Sequence, residues 1–214
     1  MRDGGGAMLH RSGRTSWRRF AVVLVPSLTA AAALGIGMAQ GALAASFLIS
    51  GQRFQLAADT LSGRGVSIYP MVDVTRKGTL VPVVVLGFRH AQINRLCLSV
   101  VIPIPVLGPY TLVVTGGTGR PVEAANLFID ATSVAAAQAN TNNIDIGVAA
   151  GAVTKGPINP QDRKSRWFNP DVFAQQATSV VLENVRVISV ATSAGTLNVP
   201  NFRMRVEQGN NPCF

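Results

Sequence analysis

Asn184-Val185-Arg186-Val187-Ile188 and, 17 residues on, Asn201-Phe202-Arg203-Met204-Arg205-Val206 are the stretches that decide how this chain is read. Apolar and basic residues alternate in them with period two, which places the two kinds on opposite faces of a pleated strand. On that reading Val185, Val187, Phe202, Met204 and Val206 point inward, and Arg186, Arg203 and Arg205 face solvent. The same offset of 17 separates Asn126-Leu127-Phe128-Ile129 from Asn143-Ile144-Asp145-Ile146. Two pairs at one offset suggest stacked β-coils with asparagine at a recurring turn, so the chain reads as mostly β, a β-solenoid-like stack of short strands. A β-sandwich or barrel whose strands recur at similar intervals fits the pattern too.

Outward from these stretches the same signal repeats. Thr79–Leu86, Leu98–Val106, Tyr110–Val114, Leu127–Ile129 and Ile144–Ile146 are short apolar or alternating runs punctuated by Gly, Pro and Asn. Ser133–Ala139, rich in alanine, is the best helix candidate, and a second short helix is expected over Pro170–Thr178. Lys155–Asp171, with Pro157, Pro160 and Pro170, reads as one exposed excursion.

The N-terminus stands apart. Arg2, Arg11, Arg14, Arg18 and Arg19 precede 20 uncharged residues, Phe20–Ala39, expected as an apolar helix, and then Ala42-Leu43-Ala44. A basic flank, an apolar core and a small-x-small site make a secretory signal cleaved after Ala44. A retained anchor fits as well, since about 20 apolar residues span a bilayer. Arg18-Arg19-Phe20 also hints at twin-arginine export. Residues 1–44 therefore read as export signal or anchor, and 45–214 as one β-rich extracytoplasmic domain.

Of the 19 Lys and Arg and 10 Asp and Glu in the chain, five arginines and Asp3 belong to the leader. The remainder, 14 basic against nine acidic, carries only +5. Its one basic cluster, Arg163, Lys164, Arg166 and Trp167, lacks a groove-entering motif and interleaved aromatics, so nucleic acid is not expected. As an exposed loop it suits an anionic envelope polymer or lipid headgroup, or plain solvation. Cys97 and Cys213 form an even pair, which outside the cytoplasm favours a disulfide stapling the C-terminal tail to the core. The chain-entropy model puts such a bridge at about 4–5 kcal/mol.

Catalytic signals are sparse. No Gly-x-Ser-x-Gly elbow occurs, and His90 is the one histidine beyond the leader. Nine acids are scattered singly; Asp130 and Asp145 flank the first asparagine pair and read as outward-facing turn residues. No His, Cys and carboxylate spacing suits a metal, and Gly116-Gly117-Thr118-Gly119 lacks the lysine of a phosphate loop. No catalytic residue, metal or other cofactor is expected.

Met38–Phe47, Ala58-Asp59-Thr60-Leu61-Ser62-Gly63-Arg64-Gly65, Leu96-Cys97-Leu98-Ser99, Phe173-Ala174-Gln175-Gln176-Ala177 and Gly209-Asn210-Asn211-Pro212-Cys213-Phe214 together carry a resemblance. They resemble an uncharacterised family of exported proteins from Streptomyces and related actinobacteria, often given the automated name cholesterol esterase. The resemblance implies an extracytoplasmic location and a small membrane protein as neighbour, and it supplies no catalytic residues. The expectation is thus a non-enzymatic envelope or cell-surface β-protein, secreted or anchored on the outer face of the cytoplasmic membrane. It would bind envelope lipid, a membrane protein or its own copies. The rivals are a lipid-ester hydrolase and a lipid carrier with a large apolar cavity.

Overall fold

The computed structural model describes residues 50–214, so the apolar helix and the export signal or anchor expected from the sequence lie outside the described residues. Nine strands follow in order: β1 (Phe54–Val74), β2 (Leu80–Asn94), β3 (Leu96–Ile104), β4 (Gly108–Gly116), β5 (Val122–Ala135), β6 (Gln138–Ala149), β7 (Phe173–Ser193), β8 (Thr196–Asn198) and β9 (Arg203–Gln208). A 3-10 turn at Ala150–Ala152 and one short helix, α1 (Pro160–Arg163), lie between β6 and β7.

Four long strands close on themselves. β1 pairs β2, β2 pairs β5, β5 pairs β7 and β7 returns to β1, all antiparallel. Closure satisfies both edges of each strand over much of its length. This is the barrel alternative; antiparallel pairing between long strands replaces the stacked coils of a solenoid. The interior of the ring is filled by Leu61, Phe88, Ile129, Val122, Val185 and Val187 among others. A lipid carrier would need a large apolar cavity there.

Of the four recurring asparagines Asn201 lies at a turn, and the other three have a different role. Asn126, Asn143 and Asn184 all have positive φ, at 49°, 51° and 50°, inside strands. Asparagine tolerates this left-handed backbone better than other side-chain-bearing residues. One such residue reverses the in–out alternation: Val122 and Ala124 are buried before Asn126, and Leu127, Ile129 and Ala131 after it. On β7, Val180 gives way to Val185 and Val187 across Asn184. Gly65, with φ 63°, makes the same reversal on β1. These reversals let long strands coil around a narrow ring while keeping apolar side chains inside.

Three expectations are corrected. Ser133–Ala139 is no helix: its residues close the β5–β6 hairpin, because pairing with β7 through Val134↔Val187 and Ala135↔Arg186 outweighs alanine's helix preference. Pro170–Thr178 runs into β7 from Phe173, and the helix sits earlier, where Asn159 caps it by accepting a hydrogen bond from the Gln161 N–H (3.0 Å) and Pro160 occupies the first turn. Phe202, Met204 and Val206 are exposed. Among the described residues β9 is a sheet edge with one neighbour, β4, and no second layer lies over these side chains.

The segment from residue 150 to 172 is more than an exposed excursion. It forms a strap over the outside of the ring and seals a second core of Tyr69, Val83, Val85, Phe128, Val153 and Ile158. Trp167 and Phe168 pack against that core. Gly156 lies so close to β1 that a Cβ there would come within 2.2 Å of the Val66 backbone. The Ser67 hydroxyl donates to the Pro157 carbonyl. Gln176 accepts from the N–H groups of Thr154 and Lys155 (2.8 and 2.9 Å).

Candidate functional site

Three places combine exposed or perturbed chemistry. The first is a groove of about 490 Å³ on the outer face of β7, β1 and β2. Pairing register places Ser179, Arg64 and His90 side by side across three strands, with Ser62 and Gln92 in the next row. Neighbouring strands lie about 4.8 Å apart, so Ser179 and His90 are separated by two strand spacings, beyond hydrogen-bond reach. Among the described residues no hydrogen bond joins His90 to a serine.

The second is acidic and lies beneath the strap. Tyr69 is fully buried; its hydroxyl donates to Asp162 Oδ2 at 2.7 Å and accepts from the Asn159 N–H at 3.1 Å. Asp73 and Asp130 point to the same region, and Asp73 Oδ2 and Asp130 Oδ1 are sealed from solvent without a hydrogen-bond partner. Burial first, then the charges of Asp73 and Asp162, push the Asp130 carboxyl up to about 8. Burial and Asp162 push Asp73 up to about 6. Burial also raises Asp162, against the opposing hydrogen bond from Tyr69. Among the described residues no group of three or more His, Cys, Asp or Glu is arranged to hold a metal. This corrects the sequence expectation for Asp130, which is a strand residue on the outer wall of the ring, enclosed beneath the strap. Asp145 is elsewhere: it pairs with Lys155 at 2.7 Å and accepts from Gln176. The Lys155 hydrogen bond holds its carboxyl below the usual range.

The third is a wing built from β3, β4 and β9, joined to the barrel where β3 pairs with the start of β1 (Ala57↔Cys97). One of its faces is covered. The C-terminal tail crosses it: Thr111 donates to the Gly209 carbonyl, the Asn211 N–H donates to Thr111, and the Cys213 N–H donates to Ser99 (2.8, 3.0 and 2.9 Å). Cys97 and Cys213 are disulfide-bonded there, with Cα atoms 6.0 Å apart, as their even count suggested. Ser99, Thr111 and Val113 are buried beneath the tail. The opposite face is partly open: Leu98, Val100, Leu112 and Val114 are half-buried, and Met204 and Val206 are exposed. Register aligns Leu98 with Val114 and Met204, and Val100 with Leu112 and Val206, in two apolar rows. Met204 is 58% and Val206 65% exposed. The hairpin tip carries Val106, fully exposed, and Leu107.

The basic cluster divides. Arg163, Lys164 and Arg166 are exposed, while Trp167 is half-buried, with the Arg166 guanidinium 4.9 Å from its ring centroid. Trp167 therefore anchors the strap as well as carrying a surface arginine. Sequence reading missed the partly open wing face, because alternation in Phe202–Val206 says that one face is apolar and not whether anything covers it. It missed the acidic cluster because Asp73, Asp130 and Asp162 are far apart in the chain.

Among the described residues no helix is long and apolar enough to cross a membrane. A family model described as a family of unknown function (DUF6230) matches residues 50–214. No curated protein and no solved structure matches the chain.

Proposed function

The chain belongs to that family, and we propose that it is a non-enzymatic envelope or cell-surface β-protein, exported through its N-terminal segment, whose wing presents a binding or assembly surface. The observation that carries this reading is the unequal treatment of the wing's two faces. One face is closed by the tail, a disulfide and three hydrogen bonds, and the other carries two aligned rows of Leu, Val and Met, half-buried on β3 and β4 and exposed at Met204 and Val206. Contiguous exposed apolar surface marks interaction sites in soluble proteins. The disulfide is compatible with export.

Hydroxyl-radical footprinting on intact cells, compared with the purified protein, tests the reading. Met204 should be oxidised readily in the purified chain and protected several-fold on cells, while exposed Phe173 on β7 reacts alike in both. Equal labelling of Met204 in both settings overturns it. A second reading, ester hydrolysis, draws on the groove that holds His90, Ser62 and Ser179. Turnover of short or long acyl esters that disappears in His90→Ala would favour it.

A further inference from the structure

We propose that the occupant of the partly open wing face is a lipid bilayer, entered shallowly by the β3–β4 hairpin tip, Ile104-Pro105-Val106-Leu107. This rests on the wing being an interaction surface and names what it meets.

The hairpin is unusual in charge. Between Arg95 and Arg120 lie 24 residues, 96–119, without one charged side chain. Loop tips of water-soluble proteins are normally the place for polar residues, and here Val106 and Leu107 are among the most exposed large apolar residues described. Val106 also has φ +72°, a backbone that a β-branched residue adopts only under strain. Glycine or asparagine would suit the turn better, so holding valine there works against folding and points to what the side chain does outside the fold.

Backbone chemistry separates a bilayer from a second copy of the chain. Pro103 and Pro109 face each other across the hairpin, and Pro105 sits at its tip. Proline has no N–H, so three donors that would be stranded in an apolar phase are absent. The same prolines deny an incoming strand its hydrogen bonds, which disfavours pairing of hairpin tips between copies. Tyr110 pairs with Ile102 four residues back from Val106, about 13 Å at strand rise. A tyrosine at that depth sits where amphipathic rings favour the headgroup level, while the tip reaches the acyl boundary.

Chain length agrees. Phe20–Ala39 ends ten residues (40–49) before Ser50, and Ser50, Gln52 and Phe54 line a cleft together with Leu98 and Val100 of the partly open face. Ten extended residues reach no farther than about 36 Å. A chain delivered to the outer leaflet by that apolar segment starts its fold beside the face in question.

Fluorescence of Leu107→Trp tests the proposal in the full chain, read as the difference from the unsubstituted chain. Leu197→Trp, at an exposed position on β8, serves as control. Vesicles of phosphatidylglycerol and phosphatidylethanolamine with brominated acyl chains should shift the tip tryptophan to the blue and quench it at least two-fold. The control should change little, and Val106→Asp should weaken the tip response about ten-fold. A tip tryptophan that stays open to aqueous iodide in the vesicle-bound chain overturns the proposal, and using bound chain means that binding through Phe20–Ala39 alone cannot imitate success. If the tip becomes shielded with rising protein concentration and no lipid, the bilayer falls and the interaction surface stands. If it responds to neither and Met204 is unprotected on cells, both fall.

Discussion

The strap side of the barrel and the wing begin with the same difficulty, a sheet with apolar side chains on both faces, and they end differently. On the strap side the chain covers itself. Residues 150–172 cross the outer wall and are held by Tyr69, Ser67 and Gln176, at the cost of enclosing three carboxyl groups. On the wing the tail covers one face through Cys213 and Phe214, and on the other Met204 and Val206 are exposed. One region thus carries internal electrostatic strain with full cover, and the other carries open apolar surface with little charge. The contrast shows that cover on this fold is supplied by segments outside the ring, each with its own polar anchors.

The largest expected effect is on the wing. The Cys97–Cys213 bridge closes a span of 116 residues and is the covalent tie between tail and β3. Cys213→Ser should lower unfolding free energy by about 2–4 kcal/mol, read by denaturant titration. Amide exchange should accelerate in β3, β4 and β9 well before the ring strands. Uniform acceleration over the whole domain would erase the distinction between a dependent wing and a self-sufficient barrel.

An intermediate effect is expected under the strap, and it depends on pH. An aspartate free in the unfolded chain titrates near about 3.9, and Asp130 in the fold is pushed up to about 8. A raised folded pKa means that the native state holds the proton more tightly, so its contribution to stability is full below the unfolded value and is lost as pH climbs through about 8. Asp130→Asn should therefore stabilise the protein at pH 8.5, by about 1–3 kcal/mol on the scale of a buried unpaired polar group. The gain should shrink at pH 5. Melting temperatures of both proteins at the two pH values decide it, and a pH-independent difference would mean that Asp130 is not the titrating group.

How much of this was legible beforehand follows from range. Strand content, the inward Val185 and Val187, and the disulfide could be read from local alternation and from cysteine count. The 17-residue echo was real as a pattern, yet only Asn201 lies at a turn while Asn126, Asn143 and Asn184 lie at positive φ within long strands, and a period alone does not distinguish the two. Ser133–Ala139 was misread because local helix preference was set against pairing with a strand some fifty residues away. The acidic cluster needed the strap folded back on β1, with Tyr69 and Asp162 separated by 93 positions. What stays on the surface is hardest of all to read, since Phe202–Val206 has the alternation of a buried strand and yet Phe202, Met204 and Val206 are exposed.

The smallest expected effect on stability falls on those residues, and it is where the comparison is most exposed to failure. Val85, beneath the strap, is fully buried, whereas Val206 on the wing is 65% exposed. Removing a buried side chain costs transfer energy and leaves a cavity, and placing a hydroxyl there adds an unpaired polar group. At an exposed site neither term applies, and surface substitutions stay within about 0.5 kcal/mol. Val206→Thr keeps the β-branched shape that suits a strand and should leave the melting temperature nearly unchanged, while Val85→Thr should cost about 1–3 kcal/mol. If Val206→Thr destabilises the purified protein as much as Val85→Thr does, Val206 is covered in solution by another molecule of the chain. A concentration-dependent melting temperature would then identify that copy, and the partly open face would become a subunit interface.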